Sequence, residues 1–198
     1  MFVKVCGLRT PDDVDAAIAA GADAIGFVLT ESARQVTPTQ ARTLAARIPP
    51  TILTVGVIAA LPTPTALDIT HEAGLQAIQL HGPYPRAAIE QAAATPFKVI
   101  RATHHTPTTD LTPWGADYLL LDSPTAGSGT PWNLSTLHTH PPQGPWLLAG
   151  GLTPETVAQA IAAARPTGVD VSSGVESSRG IKDPTLIHAF VKAAKATP

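Results

Sequence analysis

The chain is poor in charge, nearly without cysteine, and has no long apolar run. Only 14% of its 198 residues are charged, the net charge is -2, and no basic run occurs. The broad attraction to nucleic acid or anionic lipid is therefore missing. A single cysteine, Cys6, forbids an internal disulfide, and no Cys/His set has metal-ligand spacing. No apolar stretch approaches the ~20 residues of a membrane span. The N-terminus enters a strand pattern at once, so no signal peptide is read and the default location is the cytosol.

What is present is an apolar, compact chain of 44% hydrophobic residues, long enough for one domain, read as residues 1–198. There are 20 prolines, mainly at helix starts and in loops. A unit repeats: an apolar, β-branched run, a turn, then an Ala-rich helical stretch. The runs are 2–6, 24–29, 52–58, 76–80, 97–101, 118–122, 146–149 and 169–172. Several lack polar alternation, as strands buried on both faces do. Helical stripes fall at 14–21, 41–48, 157–164 and 186–194, with weaker helices at 64–73 and 85–94. Thr10-Pro11, Thr37-Pro38, Thr153-Pro154 and Asp183-Pro184 pair a capping oxygen with a first-turn proline. Gly21 and Gly74 close two helices. The stretch 103–115 has a poor stripe, so a fifth helix is missing or degenerate, and a sixth, at 132–138, is short. This alternation predicts a single-domain α/β (β/α)8 barrel, with an open doubly wound sheet as the rival.

In a barrel the chemistry lies at the carboxyl ends of the strands. Those ends carry Cys6, Arg34, His81, Arg101, Asp122, Gly150-Gly151 and Ser172-Ser173-Gly174. Alternation puts Phe2, Lys4 and Cys6 inside, with Val3 and Val5 outside. Lys4 beneath Cys6 would favour a thiolate; a small buried hydrophobe is the other reading. Asp122, after three leucines, is either a general acid with a raised pKa or a cap on the turn at Ser123. Gly150-Gly151 and Ser172–Gly174, donor-rich turns on neighbouring strands, suit a phosphate. Asp170 would pair with Lys4. Arg34 either grips a carboxylate or lies solvated. His104, His105, His138 and His140 read as surface residues. Gly127-Ser128-Gly129 fits neither a dinucleotide nor a P-loop fingerprint.

Taken in order, Lys4-Val5-Cys6-Gly7-Leu8, Gly21–Val28, Ser32–Val36, Val55-Gly56-Val57, Gln79-Leu80-His81-Gly82, Leu120-Leu121-Asp122, Gly127-Ser128-Gly129, Ala149–Leu152 and Asp170–Glu176 resemble the phosphoribosylanthranilate isomerase family over nearly the whole chain. The resemblance implies a cofactor-free, metal-free barrel of tryptophan biosynthesis acting on a phosphoribosyl small molecule. Its reaction would be an Amadori rearrangement. By position, Cys6 matches the general base, Asp122 the general acid and Arg34 the ligand of the anthranilate carboxylate. Gly150, Gly151, Ser172, Ser173 and Gly174 match the phosphate site. Lys4, His81, Asp170, Gly127 and Gly129 would support them. Thr130-Pro131-Trp132-Asn133 departs from the family, which usually has a basic residue soon after Gly-Ser-Gly. A histidine-pathway or dual-substrate isomerase is the enzymatic alternative; it resembles this fold and chemistry but uses an aspartate at the end of strand one, so the thiol of Cys6 argues against it. A non-catalytic phosphosugar-binding barrel is the other. Monomer and homodimer stay open.

Overall fold

The computed structural model describes residues 1–106, 108–123, 137 and 141–197. Eight parallel strands close into one barrel in sequence order. They are β1 (Phe2–Cys6), β2 (Ala24–Val28), β3 (Leu53–Ala59), β4 (Ala77–His81), β5 (Lys98–His104), β6 (Tyr118–Asp122), β7 (Trp146–Leu148) and β8 (Gly168–Val171). Closure is made where β8 pairs with β1, Asp170 opposite Lys4. The rival open sheet is thereby excluded.

Helices α1 (Pro11–Ala20), α2 (Pro38–Ala45), α3 (Thr63–Glu72), α4 (Arg86–Ala93), α5 (Val157–Ala164) and α6 (Pro184–Ala196) cover the barrel. Thr10 and Thr37 each make a reciprocal capping box, with Asp13 and Gln40. Asp183 accepts from the Thr185 and Leu186 amides. Gly21 ends α1 at φ 83°, a left-handed conformation that costs a glycine little. The expected cap at Thr153 is not formed. Thr153 and Thr156 close a turn, and α5 begins only at Val157.

The outer faces of the strands and the inner faces of the helices make one core, with Val3, Val5, Ile25, Phe27, Leu80 and Leu121 among its members. A second cluster fills the barrel: Cys6, Ala24, Val55, Val57, Ala77, Ile100, Ala102, Leu120, Leu147 and Ala149. These two sets alternate along each strand, the period-two pattern of a closed sheet.

The described residues between β5 and β6 include no helix. β5 instead runs three residues beyond its expected end, to His104. Arg101 falls on the outward parity and takes over part of the missing helix's task. Its guanidinium lies 3.5 Å from the Trp114 ring centroid, and Nη1 donates to the Asp110 and Thr112 carbonyls at 2.7 and 2.6 Å. Arg101 is thus a structural cation outside the barrel and not a site residue. The expected sixth helix, at 132–138, lies mostly outside the described residues, as do Gly127, Gly129, Thr130–Asn133, His138 and His140. Beyond β8 comes a short hairpin that the sequence pattern did not announce: β9 (Glu176–Ser178) antiparallel to β10 (Ile181–Lys182). Among the described residues no helix is long and apolar enough to cross a membrane.

Candidate active site

A cavity of about 310 Å³ opens at the carboxyl ends of the strands. Cys6, Arg34, Gln79, His81, Asp122, Asp170, Gly150, Gly151 and Ser172–Gly174 all line it. That size suits one small ligand. Residues from β1, β4, β6 and β8, and from the turns after β2 and β7, thus converge, although they span most of the chain.

Cys6 is 6% exposed and free of any disulfide. Room for its sulfur is made on β2: a Cβ on Gly26 would come within 2.8 Å of Sγ and 3.3 Å of Lys4 Cε. Lys4 is fully buried, and its Nζ donates to Asp170 Oδ1 at 2.7 Å, as the inward alternation required. Lys4 pulls the thiol's pKa down as expected, but the net shift runs upward. Burial pushes the Cys6 thiol up, and the ammonium of Lys4, opposed by Asp170, offsets only part of that.

Asp122 closes β6. Burial raises its pKa, with His81 and the Ser123 amide working against the rise. The capping role is also real, since the Ser123 amide donates to Oδ1 at 2.7 Å. Gly150, at φ 85°, packs directly on this carboxylate. A Cβ there would overlap the Ser123 amide nitrogen and come within 2.5 Å of Asp122 Oδ1. This glycine therefore serves the acid as well as the turn.

Beside Asp122 stand two imidazoles. His81 and His104 meet edge to face with centroids 6.0 Å apart. His104 is paired with Asp122 in the β5–β6 register and its Nδ1 is 2.9 Å from the Ser123 carbonyl. His105 is buried, and its amide donates to the Asp122 carbonyl at 3.0 Å. Neither is a surface residue, because β5 continues past the point where its apolar run stops. The Gln79 side-chain amide contacts His81 Nδ1 at 3.3 Å. Burial pushes the His81 pKa down, partly opposed by Asp122.

The two glycine turns come together as expected. Gly150 and Gly151 have φ of 85° and 70°, and a Cβ on Gly174 would overlap the Leu152 carbonyl oxygen. Ser172 differs from expectation in its side chain. Its hydroxyl donates to the Cys6 carbonyl at 3.2 Å and accepts from Lys182 at 3.3 Å, so it ties β8 to β1.

Arg34 lines the cavity and is not simply solvated. Its Nε and Nη2 donate to the two oxygens of Glu176 at 2.5 and 2.9 Å. Although burial opposes it, donation from Arg34, the Gly180 amide and Lys182 holds the Glu176 carboxyl down at about 2. Glu176 and Lys182 were not picked out as site residues in the sequence. Glu176 ends the family-like segment Asp170–Glu176, but nothing local marks its partner Arg34, 142 residues away, and Lys182 lies beyond that segment. Among the described residues no group of three or more His, Cys, Asp or Glu is placed to hold a metal.

Known proteins match this arrangement. The family model described as N-(5'phosphoribosyl)anthranilate (PRA) isomerase matches residues 3–193. A Deinococcus radiodurans N-(5'-phosphoribosyl)anthranilate isomerase is 40% identical over 98% of this chain and 96% of its own length. The crystal structure of TrpF from Jonesia denitrificans superposes with a TM-score of 0.92 at 48% identity, covering 100% of this chain and 98% of that one. A phosphoribosyl anthranilate isomerase in complex with reduced 1-(o-carboxyphenylamino)-1-deoxyribulose 5-phosphate superposes with a TM-score of 0.85 at 32% identity over 99% of both chains.

Proposed function

We propose a division of labour among these side chains from one premise: the chain belongs to the N-(5'-phosphoribosyl)anthranilate isomerase family. It is an isomerase of tryptophan biosynthesis, and its reaction is the Amadori rearrangement of N-(5'-phosphoribosyl)anthranilate to 1-(o-carboxyphenylamino)-1-deoxyribulose 5-phosphate. The thiol at the end of β1 and the breadth of the family match both leave the histidine-pathway reading without support. We take residues 1–198 as one working domain.

Asp122 is the general acid. It gives its proton to the furanose oxygen while the anthranilate nitrogen lone pair forms the C1' iminium and the C1'–O bond breaks. Burial, which keeps a carboxyl protonated, suits that task. Cys6 is the general base. Its thiolate takes the C2' proton, now acidic beside the iminium, and the electron pair moves into an enolamine. Tautomerisation of the enolamine yields the ketone. Arg34 takes the anthranilate carboxylate at one end of the cavity. Backbone N–H groups around Gly150-Gly151 and Ser173-Gly174 take the phosphate, whose binding far from the reacting carbons orients the sugar. His81, in contact with the Gln79 amide, lies beside the acid and supports its placement. Ser172 contributes its main chain, its hydroxyl being committed to Cys6.

A thiol and a carboxyl that both titrate high are compatible with these roles. The pair with thiolate and carboxylic acid carries as many protons as the pair with thiol and carboxylate. The two therefore share one pH dependence, and the active form is a constant fraction of the total across the middle of the range.

The observation that carries this reading is that Cys6 and Asp122 line the same cavity. Its test is the loss of anthranilate fluorescence when purified protein meets the substrate. Cys6→Ser and Asp122→Asn are each expected to slow turnover by about 10²-fold or more. Near-normal turnover in either variant removes that residue from the mechanism.

A further inference from the structure

Lys182 has no part in the chemistry above, yet it is 6% exposed and bonded to Ser172, which lines the cavity. Its Nζ donates to Ser172 O at 2.8 Å and to Glu176 Oε1 at 2.9 Å. Glu176 already accepts twice from Arg34 and once, at 3.0 Å, from the Gly180 amide. One carboxylate therefore serves two cations. If Glu176 faced Arg34 alone, the pair would be neutral. An incoming carboxylate would then feel the guanidinium's attraction cancelled by Glu176 just behind it. With Lys182 in place the cluster keeps one net positive charge. Arg34 also keeps Nη1, which has no hydrogen-bond partner among the described residues.

We propose that Lys182 is a positioning residue that sets affinity for the anthranilate carboxylate: by absorbing the charge of Glu176, it leaves that of Arg34 to the substrate. The inference rests on the reading of Arg34 as the carboxylate ligand. The β9–β10 hairpin is then a carrier for this one charge, which explains why so short a hairpin holds a buried lysine.

The test uses the full chain and two reduced product analogues, one with the o-carboxylate and one with a plain anilino ring. Binding is read by calorimetry, so no turnover is needed, and the ratio of the two Kd values is the carboxylate preference. Lys182→Gln is expected to cut that preference about tenfold while moving the anilino Kd by less than about twofold. Lys182→Arg, which keeps the charge, is expected to restore most of it. Glu176→Gln combined with Lys182→Gln deletes both charges and should return the preference to within about twofold of wild type. That double variant leaves only the partly exposed Arg34 charged in this cluster, with no buried anion or lysine unpaired, so it carries the test even if the single variant does not fold. A Lys182→Gln variant that weakens both analogues alike overturns the proposal, as does a double variant that loses as much preference as the single one. Arg34→Met separates the two layers. An unchanged preference there would unseat Arg34 itself. A preference lost in Arg34→Met but kept in Lys182→Gln would unseat Lys182 alone.

Discussion

Cys6 stands among charges: Lys4 with Asp170 below it, and Arg34 and Lys182 sharing Glu176 beside it. Asp122, three strands away around the closed barrel, stands among a glutamine, two imidazoles and peptide groups. The difference suits the task proposed for each side. A base that must hold a thiolate needs fixed cations nearby, and those cations need buried anions to be tolerated at all. An acid that must stay protonated needs desolvation and few cations. On both sides burial is the largest influence and the net shift is upward; what differs is the opposition, the ammonium groups of Lys4 and Lys182 at Cys6, and His81 with the Ser123 amide at Asp122.

The contrast breaks most severely by removing a charge on the base side. Lys4→Met leaves Asp170 buried without its partner, and a loss of about 3–5 kcal/mol in unfolding free energy is expected from denaturant titration. A loss below about 1 kcal/mol would mean that Asp170 reaches water or another cation. On the acid side the counterpart is Gly150→Ala, which adds a Cβ where the Ser123 amide and Asp122 Oδ1 already sit, at a left-handed φ. A cost of about 2–3 kcal/mol and a fall in kcat are expected, with Cys6 alkylated by a thiol reagent at an unchanged rate. Altered alkylation would show that the two sides are not independent. Gly26→Ala is the mildest, because the neighbour it crowds is the movable Cys6 sulfur. About 1 kcal/mol is expected, together with a changed alkylation rate at Cys6 and no change at the acid.

The barrel was legible because parallel strands buried on both faces leave unbroken apolar runs, and because Thr-Pro and Asp-Pro mark helix starts chemically. The inward set followed from period two alone: Lys4 and Cys6 on one face, hence Asp170 opposite Lys4. β5 was cut short because Ala102-Thr103-His104 is not an apolar run, and that single error sent His104 and His105 to the surface and Arg101 to the cavity. The β9–β10 hairpin escaped notice because strands of three and two residues have no period to read. Glu176 acts through Arg34, 142 residues away, and Lys182 through Ser172 and Glu176 across an irregular turn, so neither pairing shows in a local period. The direction of the Cys6 shift was missed for a related reason. Lys4 was visible, but the depth of burial and the Asp170 charge that oppose it belong to the folded barrel.

The account turns on a thiolate and a carboxylic acid being needed together in one cavity, and the pH dependence of kcat/KM with N-(5'-phosphoribosyl)anthranilate tests this most directly. Expected is a broad plateau with a limb on each side. Activity falls in acid as Asp122 protonates alongside the neutral thiol, above the usual carboxylate range. It falls in alkali as Cys6 ionises alongside the carboxylate, above the usual thiol range. A rate that passes through both regions unchanged would contradict it.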